Sequence, residues 1–336
     1  MSSRKIFSLL MVFAVAALAV GSASVAQAAK GDKKPELVLK AGHIVPSGSH
    51  YDLGLKRWGE LVTERTNGRI TLDVYPSSQL GNERDMIEGM QLGTVSMACT
   101  TTAPLSGFVP EFGALDIPYL FTTYEDARKV LDSEIGDELL AKLEANGIIG
   151  LAIWENGFRH VFNNKREAKT PEDFTGIKIR TMENPVFLSG FTSMGAIPLP
   201  MAWSEVFTAL QQKTIDAMEN NFLNTYQAKM HEVAPYCTLT YHCYSAATLV
   251  ISKIVWDKLS PEDQKIMRDA AKEVTAYERK LVTDLDEECK QKMIAEGVKL
   301  VEVDLDLWRK AVQPTWDKFG VEYADFLKKV EAKLAQ

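Results

Sequence analysis

Two arginines stand where a positive charge is hard to accommodate. Arg180 closes the strand-like run GIKIR after the turn Phe174-Thr175-Gly176, and Arg159 lies in ENGFRHVFNN, residues Glu155 to Asn164. A strand in an α/β layer is largely buried, so an arginine at its end needs an anionic partner. A structural ion pair to a nearby Asp or Glu meets that need, and on pattern alone it ranks somewhat ahead of a bound ligand. The ligand reading rests on geometry: guanidinium holds a carboxylate through two parallel hydrogen bonds, a fork that lysine does not reproduce. Trp203, beside Ser204 and Glu205 at a helix start, is either core or the wall of a cleft. Asn220 follows the apolar Ile215, Ala217 and Met218, at a strand or helix end where an amide forms turns or meets a ligand.

Catalysis has no positive support. The chain carries no G-x-S-x-G elbow, H-E-x-x-H pair, Walker loop or G-x-G-x-x-G after a strand. Its five histidines, His43, His50, His160, His231 and His242, stand in no recognisable pairing with a nucleophile. His231, Cys237, His242 and Cys243 lack the tight paired spacing of a structural zinc site. The strand-like TLTYH between Cys237 and Cys243 would hold them roughly 20 Å apart, beyond the ~7 Å reach of a disulfide. The four cysteines, Cys99, Cys237, Cys243 and Cys289, are therefore expected to be free and mostly buried. No metal or cofactor is called for.

Alternating strands and helices must position these groups. Leu37–His43 reads as a strand, and Tyr51, Leu55, Trp58, Leu61 and Val62 as a helix closed by Asn67-Gly68. Arg69–Tyr75 alternates as a half-buried strand. Met86, Ile87 and Met90 mark a short helix, and Val95–Cys99 another strand. The spacing predicts one helix over Tyr124–Asn146, capped by Thr122 or Thr123 and stopped at Asn146-Gly147, then a strand from Ile148 to Trp154. Thr170-Pro171-Glu172-Asp173 and Ser260-Pro261-Glu262-Asp263 are both helix starts, with a hydroxyl cap, proline and early acids. From Pro261 a helical pattern runs almost to Glu296, long enough to span two lobes. This is an α/β chain.

Residues 1–28 read as a signal peptide: Arg4 and Lys5, an apolar run from Ile6 to Val20 broken only by Ser8, then Ala26-Gln27-Ala28. The run falls short of the about 20 residues that span a bilayer. The formal charge of −7 becomes −9 once Arg4 and Lys5 leave with the leader. Such a field attracts neither nucleic acid nor anionic lipid, although a buried local site can still hold an anion.

Four segments in order then resemble one family. They are YPSSQLGNERDMIEGMQLG (Tyr75–Gly93), ENGFRHVFNN, GIKIRTMENP (Gly176–Pro185) and GAIPLPMAWSEVFTALQQKTIDAMENN (Gly195–Asn221). Together they resemble the DctP-type solute-binding proteins of tripartite ATP-independent periplasmic (TRAP) transporters, with similarity from about Leu37 to near the C-terminus. The resemblance implies a periplasmic α/β fold of two lobes, with crossing interdomain strands and a long bracing helix. Lobe I is expected over 34–157 with 246–285, and lobe II over 158–245 with 286–336. It also implies that Arg180 anchors a ligand carboxylate, reversing the order given by pattern alone. Arg159 is implied as a second arginine, Asn220 as the amide completing the clamp and Trp203 as the aromatic lid. His43, Asn82, Thr100, Glu183, Glu219 and His242 fall where selectivity residues sit. Asn82 and Thr100 replace acids of the sialic-acid-binding members, which argues against that ligand. Trp203 stands in place of a phenylalanine and Asn221 in place of a proline, while a protonated His43 would favour a compact anion. The implied ligand is a small sugar, hydroxy, keto or aromatic carboxylate, with a sulfonate as the alternative. The implied partners of the monomer are the small and large TRAP membrane subunits, or alternatively a signalling protein.

Overall fold

The computed structural model describes residues 34–336, and the signal-peptide reading lies outside them. Among the described residues nine strands form one mixed sheet. They are β1 (Leu37–Gly42), β2 (Ile70–Tyr75), β3 (Met97–Thr101), β4 (Ile148–Asn163), β5 (Lys178–Thr181), β6 (Ile197–Pro200), β7 (Ala217–Asn220), β8 (Tyr236–Ser252) and β9 (Lys299–Val301). The order is β2-β1-β3-β8-β4-β7-β5-β6, with β9 paired to the start of β8.

The two long strands hold this sheet together. β4 and β8 are antiparallel along their length, pairing Ile148 with Ser252 at one end and Asn163 with Tyr236 at the other. The far end of β8 pairs with β3, and the far end of β4 pairs with β7. Both strands thus pass from the β1–β3 half to the β5–β7 half. Their sequences are almost wholly buried apolar and small polar residues, as strands covered on both faces require. The β4–β8 register shifts between Gly150 and Ala152, between Glu155 and Gly157, and between Arg159 and Val161. Gly157 adopts φ +109°, and a Cβ there would crowd the Tyr124 hydroxyl at 3.2 Å and Val282 at 3.3 Å. The backbone at the middle shift is held by side chains. Glu278 Oε2 accepts from Glu155 N at 3.0 Å, and Asn221 Nδ2 donates to the Asn156 carbonyl.

The helix Pro261–Ala295 runs beside both halves. Ser260 Oγ accepts from Asp263 N at 3.1 Å, and Pro261 occupies the first turn where its missing N–H is harmless. At about 1.5 Å per residue its 35 residues extend roughly 50 Å. Met267, Ala270, Ala271 and Val274 pack into the core under β1 and β3, while Cys289 and Met293 pack with Phe162, Met218 and Cys237. Each fully buried large apolar side chain contributes about 1.5–3 kcal/mol, so both ends are anchored.

Several expectations change in detail, beginning with the strand expected from Ile148 to Trp154, which continues to Asn163. The helix expected over Tyr124–Asn146 is two helices, Tyr124–Leu131 and Glu134–Lys142, followed by a tight 3-10 turn at Leu143–Asn146. The break at Asp132-Ser133 has a cause: Ser133 caps the second helix, and Asp132 is drawn into a bidentate ion pair with Arg279, 2.7 Å at both contacts. The strand expected at Val95–Cys99 runs from Met97 to Thr101. The four cysteines are free and buried.

Candidate functional site

Arg180 sits on β5, where Ile177 and Ile179 are buried in an apolar cluster with Phe174, Phe187 and Phe191. The arginine is only 4% exposed. Its Nε donates to the Met201 carbonyl at 2.9 Å, and its terminal nitrogens have no acceptor among the described residues. The guanidinium lies 5.6 Å from the centre of the Trp203 ring, which opens the helix Trp203–Gln211. Burial lowers the Arg180 pKa to about 10, so the group remains charged at neutral pH. A buried charge without a counter-ion is costly by several kcal/mol, and an anion in the adjacent space removes that penalty.

Arg159, on β4, is also buried but is engaged at all three of its nitrogens. Its Nε and Nη2 grip the two carboxylate oxygens of Glu219, the second at 2.9 Å, and Nη2 also donates to the Glu219 carbonyl at 2.8 Å. Nη1 donates to Asn220 Oδ1 at 3.0 Å. Burial would raise the Glu219 pKa, but the charge and hydrogen bonds of Arg159 outweigh it and hold the carboxyl at about 2. His242 lies behind, with Nε2 3.3 Å from Glu219 Oε2 and Nδ1 2.8 Å from Thr240 Oγ1. Burial lowers its pKa, against the pull of Glu219. Because arginine is donor-only, Asn220 must turn its oxygen toward it. The Asn220 Nδ2 is left without an acceptor among the described residues.

Two adjoining cavities meet at Arg180. One is lined by Arg159, Arg180, Trp203, Asn220, Tyr51, Thr101, Asn156 and Asn224 among others. The other reaches Asn82, Arg84 and Glu183, and both share Glu83, Met182 and Ile44. Arg180, Arg159, Asn220 and Trp203 are therefore brought together as expected from the sequence. Asn82 and the exposed Glu183 border the second cavity. Asn82 also starts the helix Glu83–Leu92, with its N–H donating to Asp85 at 2.8 Å.

Four expected residues line neither cavity. Thr100 is turned into the β3–β8 interface, its hydroxyl 3.2 Å from that of Thr248; strand alternation gives the cavity to Thr101 instead. Glu219 and His242 stand behind Arg159 and Asn220. His43 is fully buried with Nε2 3.6 Å from Asp52 Oδ1, and burial lowers its pKa to about 4. Asp52 is already met by Lys56 at 2.7 Å and Gly48 N at 2.7 Å. His43 is thus neutral at neutral pH, and the second positive group expected there does not form.

Sequence reasoning missed Glu83. Only 7% exposed, it accepts from Thr101 N at 2.5 Å and the Thr101 hydroxyl at 3.0 Å; burial raises its pKa against those bonds and Arg180. Its place at a helix N-terminus favours the ionised form. Glu83 puts an acid in the cleft beside Asn82. Tyr51, Asn156 and Asn224 were missed too, and their sequence context reads only as core or turn.

Known proteins share this arrangement of chain. The family model for bacterial extracellular solute-binding protein, family 7 (DctP), matches residues 41–322. The 2,3-diketo-L-gulonate-binding periplasmic protein YiaO of Escherichia coli K12 is 39% identical over 293 residues, covering 87% of each chain. The C4-dicarboxylate-binding periplasmic protein DctP of Rhodobacter capsulatus is 33% identical, covering 84% of this chain and 86% of its own. A crystal structure of a TRAP periplasmic solute-binding protein from Polaromonas sp. JS666, bound to D-erythronate, superposes with a TM-score of 0.86. It is 44% identical and covers 88% of this chain and 98% of its own. Among the described residues no helix is long and apolar enough to cross a membrane. The chain belongs to the DctP family of extracellular solute-binding proteins.

Proposed function

From that membership, we propose that the chain captures a small hydroxylated monocarboxylate in the cleft and delivers it, unchanged, to TRAP membrane subunits. The observation that carries this reading is Arg180: a buried, charged guanidinium beside the cavity whose terminal nitrogens make no ion pair or hydrogen bond among the described residues. The ligand carboxylate is assigned to that fork, with Asn220 Nδ2 as a further donor and Trp203 as a wall. Glu83 borders the same space as an acceptor, which suits ligand hydroxyls and opposes a second carboxylate. Relatives whose names specify 2,3-diketo-L-gulonate and D-erythronate support a sugar acid over a C4-dicarboxylate.

In this reading the halves 34–157 with 246–285 and 158–245 with 286–336 close on the ligand. The register shift at Glu155–Gly157 supports a bend near that boundary. The ligand moves the open–closed balance only by its preference for the closed form. Exclusion of water on closing strengthens the arginine–carboxylate bonds.

A thermal-shift screen against aldonates, uronates, C4-dicarboxylates, aromatic acids and sulfonates tests the proposal, followed by calorimetry. An acid present at about 100 times its dissociation constant adds roughly 2.7 kcal/mol of stability. A sugar or hydroxy acid is expected to give the largest shift, abolished by Arg180→Ala and recovered unaltered from the mixture. A best hit among the dicarboxylates would refute the monocarboxylate assignment, and binding that survives Arg180→Ala would refute the anchor.

A further inference from the structure

We infer that Tyr51 and Asn224 form a specificity subsite that reads a single hydroxyl on the ligand's carbon chain, an inference that rests on the reading above. Tyr51 lies in the helix His50–Arg65, is 1% exposed, and borders the Arg180 cavity with a hydroxyl that has no partner among the described residues. Asn224, 2% exposed and lining the same cavity, has an unpartnered Oδ1. Its amide cannot simply be reversed. Arg159 only donates, so Asn220 presents Oδ1 to it, and that oxygen also lies 3.5 Å from Asn224 Nδ2. Asn156 Nδ2 donates to Ser245 Oγ at 3.2 Å and its Oδ1 accepts from Asn224 Nδ2 at 2.7 Å, in keeping with the same orientation. Asn220, fixed by Arg159, therefore demands the nitrogen of Asn224, and the Asn224 oxygen is left for something else.

The two orphans are complementary to one chemical group. An alcohol can donate to Asn224 Oδ1 while accepting from the Tyr51 hydroxyl; a methylene does neither, and a carboxylate lacks the proton. Buried polar groups left without partners are unfavourable, so a ligand bearing a hydroxyl at this point is selected over its deoxy analogue. The orientation of the whole subsite descends from Arg159 through Asn220 to Asn224.

Calorimetry separates this inference from the reading beneath it. The probe is the tightest binder among D-erythronate, D-gluconate, D-galacturonate and 2,3-diketo-L-gulonate, with each of its mono-deoxy analogues. Wild type is expected to lose about tenfold in affinity when one particular hydroxyl is removed. Tyr51→Phe is expected to weaken the parent acid by a similar factor while leaving that deoxy analogue nearly unchanged. Asn224→Ala, checked for folding by its melting profile, should show the same loss of discrimination. If Tyr51→Phe keeps the wild-type ratio while Arg180→Ala still abolishes binding, the subsite is overturned and the anchor stands. If wild type binds none of the four acids, the sugar-acid reading falls and the subsite with it.

Discussion

Arg159 and Arg180 are the same residue type, both nearly inaccessible and both lining one cavity, yet they meet opposite surroundings. Arg159 has a carboxylate, a carbonyl and an amide from Glu219 and Asn220, and its pKa is raised: burial lowers it, but the Glu219 charge prevails. Arg180 has one carbonyl, and burial prevails. The first arginine is completed by its own chain and stiffens the wall. The second is incomplete within the chain, which is the mark of a group reserved for something that arrives. Burial and charge alone do not tell a structural arginine from a binding one; the inventory of partners does.

Breaking the completed pair gives the largest effect. Arg159→Ala leaves Glu219 buried without its partner and is expected to cost about 3–5 kcal/mol of stability in denaturant melts. Arg180→Ala should instead leave the ligand-free melting midpoint no lower while weakening acid binding at least hundredfold, read by calorimetry. Arg180→Lys should recover little of that binding, since the two-bond fork is lost. If Arg180→Ala proved as destabilising as Arg159→Ala without ligand, the contrast would collapse.

The same comparison can be sharpened on the acidic side. Glu219 titrates at about 2 in the fold against 4.5 in the open chain, so its contribution is present above 4.5 and lost as pH falls toward 2. Across that window one proton binds on unfolding, a slope of up to about 1.4 kcal/mol per pH unit. Glu219→Gln is expected to flatten this limb in acid melts. Glu278 is a buried carboxyl without an arginine clasp: Oε1 has no partner, and burial raises its pKa despite the bond from Glu155 N. A raised carboxyl is favourable below its unfolded value and loses stability as pH rises. Glu278→Gln should therefore give the smallest effect, a modest rise in midpoint at neutral pH that fades in acid.

The sequence made the arginine fork, the tryptophan beside it and the Asn220 amide legible because they lie in long, ordered stretches that resemble a family. The long helix was legible from Ser260-Pro261 and the period that follows. The opposite wall was not. At Thr100–Thr101 the cavity took the neighbour of the residue expected, since adjacent strand residues face opposite ways and a one-residue offset reverses the assignment, and at the helix start beside Asn82 it took Glu83 as well. The neutrality of His43 depends on burial, which no spacing rule reports. Glu219 and His242 sit behind the wall because Arg159 holds the carboxylate, a geometry created only when β4, β7 and β8 are side by side. The break at Asp132-Ser133 likewise depends on Arg279, far away in the chain.

The crossing strands also govern how the molecule comes into being. β4 finds its main partner only in β8, and the residues they pair lie far apart in the chain, from Asn163 with Tyr236 to Ile148 with Ser252. Until Tyr236–Ser252 has been made and has threaded between β3 and β4, the sheet has no centre and each half keeps an open edge. Such non-local pairing slows folding, since loop closure precedes its reward. The topology therefore delays completion of the sheet in a nascent chain until its last third is present.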